Sequence, residues 1–246
     1  MIKIKKYIFQ ILLILIIFAN CSESIQKKEQ NLTKKDYQLK LICFDFDGTI
    51  ANTLHIAMDC VNQLSDEYNY IPIKNISLFR NKNMHEIIRK NLGLWLYQVP
   101  MYVKKIKSIM FKQIHKANIF NEMPKLLSQL SKNYKIAIIT SNSKKNVEVV
   151  LKKAEIQNID FIHSDSSIFG KGLVIKNFIK KHNLSNKEII YVGDEVRDIR
   201  ACKKIGVKII SVSWGYNSGE LLIKEKPDYL VNKPYEIYEI LKKQKN

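Results

Sequence analysis

From residue 40 onward, short apolar runs rich in Ile and Val alternate with longer stretches where apolar residues return every three or four positions. The first pattern is that of strands buried on both faces, the second that of amphipathic helices. Strands are predicted at Leu41–Phe44, Lys135–Thr140, Asp160–His163, Glu188–Val192 and Val207–Val212, with a short one at Tyr229–Val231. Helices are predicted at Lys144–Ala154, Leu173–His182, Arg197–Ile205 and Glu220–Lys224. Strands and helices taking turns imply an α/β fold, a parallel sheet covered on both faces. Ligands of such sheets bind outside the carboxyl ends of the strands.

One interval breaks the rhythm. Between Thr53 and about Asn121 no strand pattern appears, only helical stretches at Leu54–Tyr68, Met84–Leu92 and Tyr102–His115. That is too long for a connecting loop. It predicts a helical subdomain at 53–121, capping the sheet edge of a core made from 40–52 and 122–246.

The first residues follow another pattern. Lys3, Lys5 and Lys6 precede an apolar run from Ile8 to Ala19, a basic-then-apolar order typical of export signals. The run is short of the ~20 residues of a bilayer-spanning helix. Its end, Phe18-Ala19-Asn20-Cys21, resembles a bacterial lipoprotein cleavage site with Cys21 as the lipidated residue, departing from it at Phe18 and Asn20. Residues 1–21 are therefore read as a signal peptide or membrane anchor. Residues 22–39, polar and aperiodic, read as a tether. The expected location is the cell envelope, with a cytoplasmic form as the alternative.

The net charge of +18 invites a nucleic-acid reading, but the four arginines, Arg80, Arg89, Arg197 and Arg200, leave nearly all of the 41 basic residues to lysine. The lysines are spread along the chain, and no run mixes Arg with aromatics as a base-stacking platform does. A solvated surface is the better reading, and its positive field favours anionic small molecules. Cys21, Cys43, Cys60 and Cys202 form no CxxC and no Cys/His cluster, which argues against a disulfide framework or a zinc site.

The candidate chemistry sits where strands stop. In LICFDFDGTI, Asp45 and Asp47 stand two apart, so both can face one side, and Gly48 permits a tight turn. Two such carboxylates become tolerable around a divalent cation such as Mg²⁺. In IAIITSNS, Thr140 ends a strand, and Ser141, Asn142 and Ser143 open a helix whose free N–H groups suit an oxyanion. Plain N-capping by Ser143 is the equal alternative. In SDSSIFGKG, Lys171 lies between glycines just before a helix. In IIYVGDEVRDI, Asp194, Glu195 and Asp198 crowd at a strand end beside Arg197, though Asp198 also suits a helix N-terminus by charge alone. Carboxylates, a hydroxyl, a lysine and helix-start amides together suit phosphoryl transfer.

DFDGT, Thr140, Lys171 and GDEVRD resemble, in order and spacing, the four motifs of the haloacid dehalogenase superfamily of Mg²⁺-dependent phosphatases. The resemblance spans about Lys40 to Leu241. The helical insert is similar to the cap of the phosphoglycolate phosphatase-like group, and GVKIISVSWGYNS with KPDYLV is similar to that group's C-terminal part. The resemblance implies a Rossmann-like three-layer α/β core. It implies Asp45 as nucleophile, Asp47 as general acid/base, and Thr140, Ser141 and Lys171 as the phosphoryl-binding set. It also implies Mg²⁺ on Asp45, Asp194 and the main-chain carbonyl of Asp47, with Glu195 and Asp198 supporting the metal. Asp47 favours ester hydrolysis, because dehalogenases lack that second Asp. A small phosphorylated metabolite is the expected partner and nucleic acid is not. A phosphomutase or phosphotransferase on the same fold is one alternative, and a non-catalytic, anion-binding surface lipoprotein another. Arg80, Lys82 and His85 are weighed as cap residues reaching substrate, against a solvated helix start.

Overall fold

A computed structural model describes residues 38–82, 86–165 and 170–243. The segment read as signal or anchor, Cys21, most of the tether and His85 lie outside them. Six strands form one parallel sheet in the order β5-β4-β1-β6-β7-β8. They are β1 (Leu41–Phe44), β4 (Lys135–Thr140), β5 (Phe161–Ser164), β6 (Ile189–Gly193), β7 (Lys208–Val212) and β8 (Tyr229–Val231). Each predicted strand is present, with bounds moved by at most one residue.

β1 lies at the centre. Its register pairs Phe44 with Ile138 on one side and Val192 on the other, so β1, β4 and β6 run to the same edge, with β4 continuing to Thr140 and β6 to Gly193. Successive side chains of β1 serve opposite faces. Ile42 and Phe44 pack with Leu126, Leu127, Val147 and Ile237. Leu41 and Cys43 pack with Ile175, Phe178, Ile199 and Cys202. These partners come from helices on either side: α5 (Met123–Leu130), α6 (Lys144–Lys153) and α10 (Pro234–Lys243) on one, α7 (Lys171–Lys181) and α8 (Val196–Ile205) on the other. A short α9 (Gly219–Lys224) joins the second face through Leu222. The result is the expected three-layer α/β core. The helices α5 and α10 were not among the predicted elements, although each opens with a proline in its first turn, a common helix start.

The insert corrects the sequence reading in three places. A two-stranded antiparallel ribbon, β2 (Ala51–Asn52) with β3 (Asn118–Ile119), closes its base. Two residues per strand are too few to print an alternation. The helix predicted over Leu54–Tyr68 splits into α1 (Leu54–Asn62) and α2 (Ser65–Tyr68), and α2 ends on Asn69 in the left-handed region, which Asn tolerates. Of the predicted Met84–Leu92 helix, the described part is a π-helical turn at Ile87–Asn91. α3 (Ile76–Arg80) and the long α4 (Val99–Gln113) complete the insert, with Leu64, Ile73, Leu92, Leu94 and Tyr102 as its own small core. Among the described residues no helix is long and apolar enough to cross a membrane. Cys43, Cys60 and Cys202 are free thiols, all buried.

Candidate active site

Asp45 directly follows β1. Its N–H donates to the Val192 carbonyl at 2.8 Å, carrying the sheet pairing one residue further and leaving the side chain at the sheet's carboxyl edge. One carboxylate oxygen accepts from the Phe46 N–H at 2.8 Å, and the other meets Lys171 Nζ at 2.6 Å. The chain then turns at Gly48, whose φ is +79°. A Cβ there would stand 2.1 Å from Asp194 Oδ2, so only glycine lets this turn close on Asp194.

Asp194 follows β6 and is fully buried. Thr49 Oγ1 donates to it at 2.8 Å, and the Tyr216 N–H donates to its other oxygen at 2.7 Å. Asp198, in the first turn of α8, does two things. Its Oδ2 accepts from the Glu195 N–H at 3.1 Å, satisfying an open helix-end donor, while Oδ1 pairs with Lys171 Nζ at 2.7 Å. Asp198 thus closes the helix start and also joins the carboxylates gathered at the strand ends. Asp45, Asp194 and Asp198 each offer an oxygen within 4.8 Å of the others. Glu195 is buried too, but its carboxylate accepts the Arg197 guanidinium.

Lys171 is the first residue of α7 rather than a residue just before it. Gly170, at φ +84°, turns the chain straight into the helix. The ammonium group then lies over the Tyr191 ring, 5.1 Å from its centre, and between Asp45 and Asp198. Burial alone would lower its pKa, but Asp198 and Asp45 outweigh burial and hold it above the usual lysine value.

The carboxylates show the converse strain. Burial raises the pKa of Asp45, against the opposing pull of Lys171. Burial also raises Asp194 well above the usual carboxylate range, reinforced by Glu195, Asp45 and Asp198. Among the described residues, Lys171 and Arg197 are the cations that act on the cluster of Asp45, Asp194, Glu195 and Asp198, two positive charges against four carboxylates. An oxygen donor set with that deficit fits a hard divalent cation such as Mg²⁺.

Asp47 is set apart from this cluster. Its pKa is pushed up to about 6, by burial first and the Asp45 charge second, while hydrogen bonds from Thr53 and Asn142 work against the rise. The Asn142 amide donates to both of its oxygens, at 3.1 and 3.0 Å. Thr140, buried at the end of β4, accepts from the Asn142 N–H at 3.0 Å, so its hydroxyl proton stays free to donate. Ser141 is exposed at the start of the following loop. Ser143 takes the plainer of its two readings: its Oγ accepts from the Asn146 N–H and caps α6.

The haloacid dehalogenase-like hydrolase family model matches residues 42–212, about two thirds of the chain and all four clusters. The chain belongs to that family. It is a haloacid dehalogenase-like hydrolase. It is 25% identical over 203 residues to the phosphoglycolate phosphatase of Synechococcus elongatus, covering 81% of this chain and 95% of that one. It is 22% identical over 214 residues to the pyrophosphatase PpaX of Bacillus mycoides, covering 83% and 97%. Among solved structures, a predicted phosphatase from Clostridium acetobutylicum superposes with a TM-score of 0.73 at 18% identity, covering 84% of this chain and 99% of that one. A haloacid dehalogenase-like hydrolase from Streptococcus pneumoniae superposes at 0.69 and 24%, covering 82% and 98%.

Several residues of this hydrolase's site lie in stretches the sequence singled out, DFDGT and GVKIISVSWGYNS, but were given no role there. Thr49 and Tyr216 hold Asp194, and Gly215 packs against it so closely that a Cβ would lie 2.2 Å from Oδ2. The loop 213–218 carries Gly215 and Tyr216 and follows β7, a strand end without a carboxylate. Arg80, weighed as a substrate contact, instead donates Nε to the Gly215 carbonyl at 3.0 Å and Nη2 to that of Ser213. Lys82 bonds Asn91 Oδ1 at 3.3 Å. Only the crowding of polar residues after Thr140 pointed towards Asn142.

Proposed function

We propose that this hydrolase is a Mg²⁺-dependent phosphatase acting on small phosphate monoesters through an aspartyl-phosphate on Asp45. The observation that carries the reading is the division of labour between two neighbouring carboxylates. Asp45 is held by Lys171 among buried acids, and Asp47, apart from them, has a pKa near 6 suited to proton transfer close to neutrality.

In the first half, an Asp45 oxygen forms a bond to phosphorus as the ester P–O bond breaks. The departing oxygen keeps the electron pair and takes the proton of Asp47. In the second half, water gives a proton to the Asp47 carboxylate and attacks the phosphoryl group. The Asp45–phosphorus bond breaks, inorganic phosphate leaves, and Asp47 is again protonated. Lys171 and the free Thr140 proton offset charge on the phosphoryl oxygens throughout. Asp45 and Asp194 would hold Mg²⁺, with Asp198 and Glu195 in support, and the bound ion would polarise the phosphoryl oxygens. Asp47 lies outside the group of converging carboxylates, and it would join the metal set through its main-chain carbonyl, as the family resemblance implies, leaving its carboxylate for the proton.

The names of relatives make phosphoglycolate the first substrate to try. The test is phosphate release by the purified chain from a panel of monoesters, with and without Mg²⁺. Wild type is expected to turn over at least one ester, and Asp45→Asn to lose at least about a thousandfold. Turnover by Asp45→Asn at the wild-type rate would remove Asp45 as nucleophile. A separate proposal rests on sequence alone: residues 1–21 hold the enzyme at the cell envelope. Cell fractionation checks it, and an entirely soluble full-length chain would refute it.

A further inference from the structure

Asn142 belongs to none of the roles assigned above, yet it is the most fully committed polar side chain near Asp47. Its Nδ2 donates to both Asp47 oxygens, at 3.1 and 3.0 Å. Its Oδ1 accepts from the Ser143 N–H at 2.8 Å and from Asn146 Nδ2 at 2.7 Å. The orientation of the amide is not a free choice. A backbone N–H can only donate, so the atom facing Ser143 must be the oxygen, and the nitrogen must face Asp47.

Asn146 shows what this arrangement costs. It is buried in the first turn of α6, and its own Oδ1 has no hydrogen-bond partner among the described residues. A buried amide oxygen left unpaired is unfavourable, usually by about 1–3 kcal/mol. Turning the Asn146 amide over would bring two oxygens face to face across the 2.7 Å contact with Asn142. The unpaired oxygen therefore persists because the nitrogen is needed where it is. β4 and α6 are rigid elements, and the amide pair between them reaches across to a turn nearly a hundred residues away in sequence.

We infer that Asn142, oriented by Ser143 and Asn146, is a positioning residue that aims the Asp47 carboxyl at the leaving-group oxygen. The inference rests on the phosphatase reading above. An amide that only donates to Asp47 does no bond-making itself. It fixes where the proton is offered, and proton transfer from a positioned acid is generally worth about 10²–10⁴ in rate.

Positioning of an acid has a signature that a structural role lacks. An alkyl phosphate expels a strongly basic oxygen and depends on the acid. p-Nitrophenyl phosphate expels a weakly basic phenolate and depends on it little. The experiment measures kcat/KM, which reports the steps through leaving-group departure, for both esters with full-length wild type, Asn142→Ala and Asn142→Asp. Asn142→Asp keeps the shape and both acceptor contacts but sets a carboxylate against Asp47 in place of the donors, so it retains the local fold while withdrawing the aim. Both variants are expected to lose about 10- to 100-fold on the alkyl ester and less than about threefold on p-nitrophenyl phosphate. Equal losses on the two esters, or none, would overturn the inference while leaving the phosphatase reading standing. The alkyl ester is the one of the panel that wild type turns over fastest; wild type inactive on every ester would refute that reading itself, and the inference with it.

Discussion

Two ion pairs bracket β1, one before it and one after it, and they have the same length in opposite surroundings. At the amino ends, Lys40 Nζ and Glu188 meet at 2.6 Å, with the lysine side chain 61% exposed. At the carboxyl ends, Lys171 Nζ and Asp45 meet at 2.6 Å, with the lysine 11% exposed and a second acid, Asp198, at 2.7 Å. Distance does not separate them; water does. A pair whose lysine keeps its water, as Lys40 does, exchanges good solvation for a modest attraction. A buried pair has already lost its solvation, so each charge depends on the others remaining. The amino edge is decoration on a stable sheet, and the carboxyl edge is a set of charges held by one another.

Three substitutions test that contrast. Lys171→Met keeps the apolar stem over Tyr191 and removes only the charge. It should cost about 3–5 kcal/mol, measured by urea unfolding, because Asp45 and Asp198 are left buried and unpaired. A cost below that of the surface pair would break the comparison.

Arg80→Ala comes next. Arg80 is half-buried, and its guanidinium ties the cap insert to the Ser213 and Gly215 carbonyls, beside the Tyr216 N–H that holds Asp194. Losing charge-assisted bonds to backbone in this setting should cost about 1.5–3 kcal/mol. The same substitution should raise the Mg²⁺ concentration needed for half-maximal activity. An unchanged unfolding midpoint and an unchanged Mg²⁺ response would show that the insert and the site are independent.

Lys40→Ala should have the smallest effect, below about 1 kcal/mol and shrinking with salt. Lys40, followed by the Ser185 N–H, holds the Glu188 carboxyl down to about 2, below its ordinary 4.5. A depressed folded-state pKa stabilises above the unfolded value and is lost as pH falls through the folded one. The difference between wild type and Lys40→Ala should therefore be full above pH 4.5 and fade towards pH 2. A difference that grows in acid would contradict the assignment.

The core was legible because its strands are pure in pattern. LICF, KIAIIT and IIYVG are β-branched or aromatic runs ending on Asp, Ser or Asp, and the parallel topology brings such ends to one edge. The insert was less legible. Its apolar residues include Ile71, Trp95, Leu96, Tyr97 and Met101, which stand exposed and blur the helical period that buried residues would have kept. A two-residue ribbon and a π-helical turn leave no period to read. Within the site, residues that act by carrying a strand-end charge could be seen, whereas those that act by holding another residue in place were given no role. Asn142, Tyr216 and Gly215 belong to the second kind.

Sequence by itself determined the α/β alternation, the helical insert, and four polar clusters whose order and residue types resemble one family. These are local properties, written in side-chain period and in the residues at strand ends. Tertiary structure alone decided that Lys171 lies between Asp45 and Asp198, that Arg80 binds backbone across the cap, and that Asn142 faces Asp47 with its nitrogen. Those relations join residues far apart in the chain, and their sign depends on burial. A carboxylate beside a lysine means little in water and a great deal without it, and only the folded chain sets which of the two surrounds it.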